Sequence, residues 1–475
     1  MYQKNGCKIC LQMMQKSKNY PTLTIIGGGL AGCEAAWQAA NQGIPVNLYE
    51  MRPQKTTEAH KTDHLAELVC SNSLGSNRID RSSGLLKNEL RKLGSLLLKC
   101  ADACAVPAGS ALAIDRVRFS EHVTHALTNH PLITIERTEI VAIPTGPTII
   151  ASGPLTSHAL AESIRNFTGS DQLFFFDAIA PIVEYDSIDF SIAFHASRYD
   201  DGQMNQGDYV NLPFEKDQYF QFIEALITAE QFPLEKFEIE IQTGVDAGKK
   251  QFFESCLPIE VLAKRNPLSL AYGPLKPVGI FNPNTHKRPF AVVQLRQDNM
   301  AGNLYNMVGF QTNLLHAEQE RVFRMIPGLQ NAGFIRLGQM HRNTFLASPA
   351  LLTPTMQSKI RPDLFFAGQL TGIEGYVGSI ASGLLAGVNM ARWLSGLDMF
   401  IFPITTMIGA LTNYICNSDV DHFQPMKANF GILPPLLDPP RHKQDRLSHY
   451  SQRAIQDIDL FIKQEYPFLS NPLSK

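Results

Sequence analysis

The chain has 475 residues, with 42 Lys and Arg against 44 Asp and Glu, for a formal net charge of −2. A hydrophobic share of 44% and a charged share of 18% suit a globular protein of roughly two or three domains. They exclude a disordered chain, a collagen-like repeat and a histone-like polycation; any nucleic-acid binding must rest on a local basic face.

Met1 to Tyr20 is polar and Lys-rich, with no continuous apolar run, and reads as a tail rather than a signal peptide. Its Cys7 and Cys10 have C-x-x-C spacing, but no second pair sits nearby to complete a zinc site, and no metal is expected. Eight cysteines in all are too sparse for a disulfide-stapled secreted scaffold.

Leu23 to Ile26 is a short β-branched run that predicts a strand. Gly27-Gly28-Gly29-Leu30-Ala31-Gly32 follows, then a helix-forming run from Cys33 to Asn41 that Gly43 stops. Pro45 to Tyr49 predicts a second strand, ending in Glu50. In Gly27-x-Gly29-x-x-Gly32 the glycines permit a tight turn and close approach to a pyrophosphate, which would sit on the helix N-terminus. Glu50 lies 18 residues after Gly32, where a carboxylate can accept hydrogen bonds from a ribose. Strand, glycine turn, helix, second strand and acid are all in order, which predicts a dinucleotide site.

Two further segments favour FAD over NAD as the resident dinucleotide. Thr148 to Pro154 is a strand ending in a small-residue turn at Gly153, and Asp363 to Gln369 is another ending at Gly368. Glu50-Met51-Arg52-Pro53 continues into the polar loop expected of an N-terminal FAD site, and no second G-x-G-x-x-G occurs. The middle of the chain has short strands, frequent Pro and one helical stretch near Lys216 to Ala229. Helical periodicity returns at Ser379 to Leu394. The expected class is therefore α/β: a Rossmann-like FAD-binding domain of the glutathione-reductase type with a mixed α+β insertion domain. The boundaries read as a tail at 1–20, the FAD-binding domain at 21–185 and 329–475, and the insertion at 186–328. The apolar stretch from Leu397 to Ile415 carries Asp398, Pro403 and Asn413 and suits a buried element better than a membrane span. A soluble, cytoplasmic protein is expected.

Cys70 and Cys256 lie among polar residues where a thiolate could be accessible. They are 186 residues apart, so only the fold could join them, and spacing alone also allows two idle thiols. Cys33, Cys100 and Cys104 read as packing residues, and nothing around Cys416 raises it.

Several long blocks resemble the folate- and FAD-dependent tRNA uracil-5-methyltransferases of the TrmFO (Gid) family. They are Leu48-Tyr-Glu-Met-Arg-Pro53, Ala66-Glu-Leu-Val-Cys-Ser-Asn-Ser-Leu74, Gly273-Pro-Leu-Lys-Pro-Val-Gly279, Ala291-Val-Val-Gln-Leu-Arg-Gln-Asp298, Met340-His-Arg-Asn-Thr-Phe345 and Phe423-Gln-Pro-Met426. The resemblance implies methylation at C5 of a T-loop uridine of tRNA. Methylenetetrahydrofolate supplies the carbon by way of the flavin, and NAD(P)H is the reductant. Uracil C5 becomes nucleophilic once a thiolate adds to C6, and a base must then take the C5 proton. The family roles fall on Cys256 for the addition, on Cys70 for assisting proton removal and on Tyr376 beside the flavin. Tyr376 also reads as a turn aromatic covering the cofactor. Lys264, Arg265, Lys276, Lys287, Arg288 and Arg342 are the candidate phosphate contacts, each also readable as solvated surface. The same chemistry on ribosomal RNA, or a flavoprotein oxidoreductase without methyl transfer, are the alternatives.

Some positions depart from the family pattern: Gly75, Leu212, Ala271-Tyr272, Asn313, Gly378 and extra residues around Gln242 to Lys250. Loss of an imidazole at 313 and a carboxylate at 378 would weaken contacts to a pterin by about 1–3 kcal/mol each.

Overall fold

The computed structural model describes residues 20–57, 59–169, 173–178, 180–198, 207–232, 258–338, 340–420 and 423–465. Its first layer is a parallel sheet of five strands, in the order Leu364–Phe366, Thr148–Ile150, Leu23–Ile26, Val46–Tyr49, Ile133–Glu136. The central strands are apolar almost throughout because both of their faces are covered: Leu23, Ile25, Ile149, Ile150, Leu364 and Phe365 are buried. Strand and helix bounds agree closely with those read from the sequence for the first unit, a Rossmann-like arrangement. The helix begins earlier than the run of strong helix formers suggests, at Leu30, with Gly29 as its N-cap.

A second layer is an antiparallel sheet of six strands, in the order Phe194–Ala196, Tyr209–Phe214, Ala291–Gln297, Leu304–Met307, Ile182–Glu184, Phe334–Arg336. The helix Lys216–Thr228 lays Tyr219, Phe222, Ile223 and Leu226 on it, and they share a core with Val210, Leu212, Leu295 and Phe310. The chain enters and leaves this sheet's region through an antiparallel ribbon, Leu173–Ala178 against Met340–Phe345. In the apolar stretch after Leu397, Phe400, Phe402, Met407, Ile408 and Leu411 lie in the main core while Ile401 and Ile404 are exposed, and its second half is the buried helix Met407–Asn417. Among the described residues no helix is long and apolar enough to cross a membrane.

One helix contact aligns the first layer. The helix Tyr376–Leu394 crosses Leu30–Asn41 so closely that a Cβ on Gly383 would lie 2.2 Å from the Ala31 carbonyl oxygen. A Cβ on Gly387 would lie 2.4 Å from that of Ala35. Both pairs advance by four residues, so the two helices run in the same direction and bring their N-termini to one edge of the sheet. Two buried carboxylates fix further helices by their N-termini. Glu34 accepts from the backbone N–H of Leu96 and Leu97 and from the Ser95 hydroxyl. Glu89 accepts from the N–H of Met407 and Ile408 at 2.7 and 2.9 Å.

Two outcomes follow. Gly383→Ala forces the two helices apart and is expected to lower stability by about 1–3 kcal/mol, read as a fall in denaturation midpoint. Burial pushes the Glu89 carboxyl up to about 8 against its two N–H donors, and Glu34 moves in the same direction. Between the ordinary glutamate value and about 8, folded Glu89 keeps a proton that the unfolded chain has released. Stability should therefore fall as pH rises through that window. Glu89→Gln should flatten part of the slope in denaturant titrations at its two ends, whereas an unchanged slope would contradict the assignment.

Candidate active site

The edge where the two helices begin is a groove of roughly 1000 Å³. It is lined by Gly27, Gly29, Leu30, Ala31, Glu50, Arg52, Gly153 and Gly368, among others. Gly27 has φ +106°, and a Cβ on it would meet the Ala151 carbonyl oxygen at 2.5 Å, so the turn admits only glycine. Gly32 is equally constrained, 1.9 Å from the Gly27 oxygen by the same construction. Gly29 differs: no protein atom lies within 4 Å of where its Cβ would be. The helix behind it has no side-chain cap and no acidic residue in its first turn. Uncapped N–H groups, open space beside Gly29 and the helix dipole together fit a pyrophosphate. Thr138, Glu139, Ser157, Gln369 and Ser379 also line the groove, and nothing in the sequence pattern singles them out.

Glu50 is held in place from both sides. Gly28 N–H donates to Oε2 at 2.9 Å, while Arg52 donates its N–H and Nε–H to Oε1 at 3.1 and 2.9 Å. Burial would raise this carboxyl, but the Arg52 hydrogen bond and charge and the two N–H donors outweigh it, leaving it below the usual range. Arg52 is itself buried and also reaches Glu67 Oε2 at 2.9 Å and the Thr62 carbonyl at 3.1 Å. Its guanidinium thus braces an anionic Glu50 at the groove wall.

A second cavity, roughly 1330 Å³, adjoins the first and shares Val69, Pro154, Leu155, Gln369 and Tyr376 with it. Cys70 lines the second cavity. The Tyr376 hydroxyl accepts from the Cys70 N–H at 2.7 Å. Burial, then the charge of a Cys70 thiolate, push the Tyr376 phenol well above its ordinary value, so it stays protonated and keeps an O–H to donate. Arg116 Nη1 and Arg336 Nη2 donate to the Cys70 carbonyl at 2.9 and 3.0 Å. Arg116 pairs with Asp298 at 2.9 Å, and Arg296 Nε donates to Asn72 Oδ1 at 3.0 Å. Lys427 and Glu374, 2.5 Å apart, form an ion pair on the wall of this cavity.

Cys256 and the segment from Gln242 to Lys250 lie outside the described residues. Lys264, Arg265, Lys287 and Arg288 are exposed beside the antiparallel sheet, and Lys276 is half-buried. Exposed rings accompany them: Tyr272 is 82% and Phe281 57% exposed. The Arg288 guanidinium sits 5.5 Å from the Phe281 ring centroid. Arg342 is on the linking ribbon, opposite Phe176. Cys33, Cys100, Cys104 and Cys416 are buried, with the Cys33 thiol donating to the Gly28 carbonyl at 3.2 Å.

The departures fall in different places. Gly75 and Gly378 line the second cavity, but Asn313 lines neither. Asn313 is buried beside Glu260, whose carboxylate accepts its N–H at 2.7 Å, and its side chain donates to the Phe232 carbonyl at 3.2 Å. Leu212 is buried in the antiparallel sheet's core.

Comparisons with known proteins place these features. Residues 22–398 match the family described as Glucose inhibited division protein A. A protein of Heliobacterium modesticaldum named methylenetetrahydrofolate--tRNA-(uracil-5-)-methyltransferase TrmFO is 54% identical over 442 residues, covering 93% of this chain and 98% of its own. The protein of the same name from Ligilactobacillus salivarius is 55% identical over 440 residues, covering 93% and 98%. Among solved structures, Aquifex aeolicus GidA superposes with a TM-score of 0.65 at 17% identity, over 94% of this chain and 77% of that one, a likeness of fold. The chain belongs to the glucose inhibited division protein A family, among its TrmFO members.

Proposed function

We propose that this protein is a folate- and FAD-dependent methyltransferase that acts on C5 of a uridine in the T-loop of tRNA. The observation that carries the reading is the meeting, at Tyr376, of the dinucleotide groove with a second cavity that Cys70 lines. The names of relatives more than half identical over nearly the whole chain agree with it.

Gly27, Gly28 and Gly29, with the N–H groups of Leu30, Ala31 and Gly32, would hold the FAD pyrophosphate. Glu50, steadied by Arg52, would take a ribose hydroxyl, and Gly153 and Gly368 let the backbone pass close by. Bound FAD would supply the redox and one-carbon carrier chemistry that side chains lack. Methylenetetrahydrofolate is the carbon source, and turning a methylene into a methyl needs two electrons, assigned to NAD(P)H. The chain's own part is nucleophilic. The Cys256 thiolate adds to C6 of the uracil, C5 bonds to the incoming carbon, and a base drawn from the Cys70 side takes the C5 proton. Loss of that proton lets the methylene part from its carrier and leaves it double-bonded to C5; the two electrons, added to that carbon as a hydride, make the methyl group, expel the Cys256 thiolate from C6 and restore the C5–C6 double bond. Lys264, Arg265, Lys287, Arg288 and Arg342 would contact RNA phosphates, and the exposed Tyr272 and Phe281 rings suit stacking on unpaired bases. The site of action would be the cytoplasm, with the tRNA.

A Cβ at Gly29 meets no protein atom within 4 Å, so Gly29→Ala should leave the fold's melting midpoint nearly unchanged while the purified protein loses flavin absorbance. Retention of flavin by that variant would remove the pyrophosphate from this turn. The activity itself is tested with purified protein, NADPH, FAD and carbon-labelled methylenetetrahydrofolate, offered unmodified tRNA and ribosomal RNA separately. Label should appear as 5-methyluridine in tRNA, and Cys256→Ala should abolish it with flavin still bound. Label confined to ribosomal RNA would change the substrate, and no label with reducible flavin would leave an oxidoreductase.

A further inference from the structure

The Cys70 peptide is held at both ends of its polarity by residues far away in sequence. Its N–H goes to Tyr376, and its carbonyl is shared by Arg116 and Arg336. Arg336 is the last residue of the edge strand Phe334–Arg336, so the grip reaches Cys70 from the antiparallel sheet. Two residues on, the side chain of Asn72 is fully buried and tied to the same sheet, donating to the Gln297 carbonyl at 2.8 Å and accepting from Arg296. The segment is thus fixed by groups from both layers of the molecule.

Charge is unbalanced at this point. Arg116, Arg296 and Arg336 converge on the segment, and Asp298 is the carboxylate among them, paired to Arg116. Arg336 Nε is buried and has no hydrogen-bond partner among the described residues. Burial and the charge of Arg116 push the Arg336 guanidinium down, to about 10, while Asp298 and an anionic Cys70 sulfur favour its charged form. That attraction is mutual: the cation that gains from an anionic sulfur also stabilises it. A guanidinium kept buried with an unused donor, on the peptide of a cysteine that lines a cavity, costs desolvation that a neutral tether would not.

We propose that Arg336 is a positioning residue for Cys70, fixing the cysteine on the wall of the second cavity by holding its carbonyl with a buried positive charge. The proposal rests on the reading that Cys70 takes part in methyl transfer. It makes the antiparallel sheet part of the active site's support, since any shift of its edge strand moves the Cys70 peptide.

The test uses the full-length, FAD-bound protein with Arg336→Met and Arg336→Lys. Two measurements are made: steady-state methylation of tRNA, and the rate of Cys70 alkylation by iodoacetamide, followed on the Cys70 peptide by mass spectrometry. Arg336→Met should lower kcat by about 100-fold, with KM for tRNA within about 2-fold and flavin content unchanged, because misplacing a reacting group acts on kcat. Its Cys70 should alkylate about 10-fold more slowly. Arg336→Lys should recover part of both, since it restores the charge without the planar fork. Wild-type kcat and alkylation rate in Arg336→Met would overturn the proposal. So would a loss of flavin and melting midpoint in both variants, which would make Arg336 a structural tether. Cys70→Ala separates the two readings. If it retains full methylation, Cys70 has no part in the chemistry, and the alkylation ratio then decides the role of Arg336 alone.

Discussion

The close crossing of two helices is the constraint from which the site follows. Gly383 and Gly387 let the helix Tyr376–Leu394 lie against the backbone of Ala31 and Ala35. A side chain at either glycine would set the helices apart by its own size, and close-packed interiors do not absorb such a change. Because the helices run in the same direction, their first turns face the groove together. One presents Gly29 and the N–H groups that follow it to the groove, and the other presents Tyr376, which also lines the second cavity. The distance between the Gly29 turn and Tyr376 is therefore set by helix packing, not by loops.

Polar ties then join that rigid unit to the antiparallel sheet. Tyr376 holds the Cys70 N–H from the helix side, and Arg336 holds the Cys70 carbonyl from the sheet side. Arg116 belongs to both, since it reaches Cys70 and Leu68 from the helix Arg116–Thr128 and pairs with Asp298 beyond the sheet's longest strand. The arginine ties exchange solvation for charge-assisted hydrogen bonds and the Tyr376 tie is a neutral one, so their net strength is modest, but their geometric specificity is high. Hydrophobic packing fixes where the two cores lie, and the polar ties fix how the cysteine segment sits between them.

The strand, glycine turn, helix and second strand of the first unit were legible in the sequence, because every requirement there is short-range. Glycines, an apolar strand and an acid at the next strand's end all fall within thirty residues, from Leu23 to Glu50. The helix starts at Leu30 and Tyr376 were less legible. Both follow glycines whose low helix propensity hides a first turn that tertiary packing stabilises. The grip on Cys70 was not legible at all. Asn72, Arg296 and Asp298 lie inside blocks that carry the family resemblance, and Arg116 and Arg336 lie outside them. No spacing rule relates residues that are 46 and 266 positions from the one they hold.

The departures from the family pattern make the same point from the other side. Gly75 has φ +76°, which a glycine adopts without strain and a longer side chain does not, and its carbonyl is one of three that the buried Lys87 ammonium binds. A Cβ at Gly378 would come within 2.6 Å of Ile373 Cγ2, so the backbone here is packed for glycine. A carboxylate at 378 would therefore need Ile373 to shift before it could reach the cavity that Gly378 lines. At Asn313, nothing reaches either cavity, and the side chain is spent within the sheet domain on Phe232. Read from type alone, a lost imidazole and a lost carboxylate looked like equal deficits in ligand contacts. Read from their surroundings, one is internal to a domain, and the other lies at the cavity wall beside the Lys427–Glu374 ion pair, which keeps both charges on that wall.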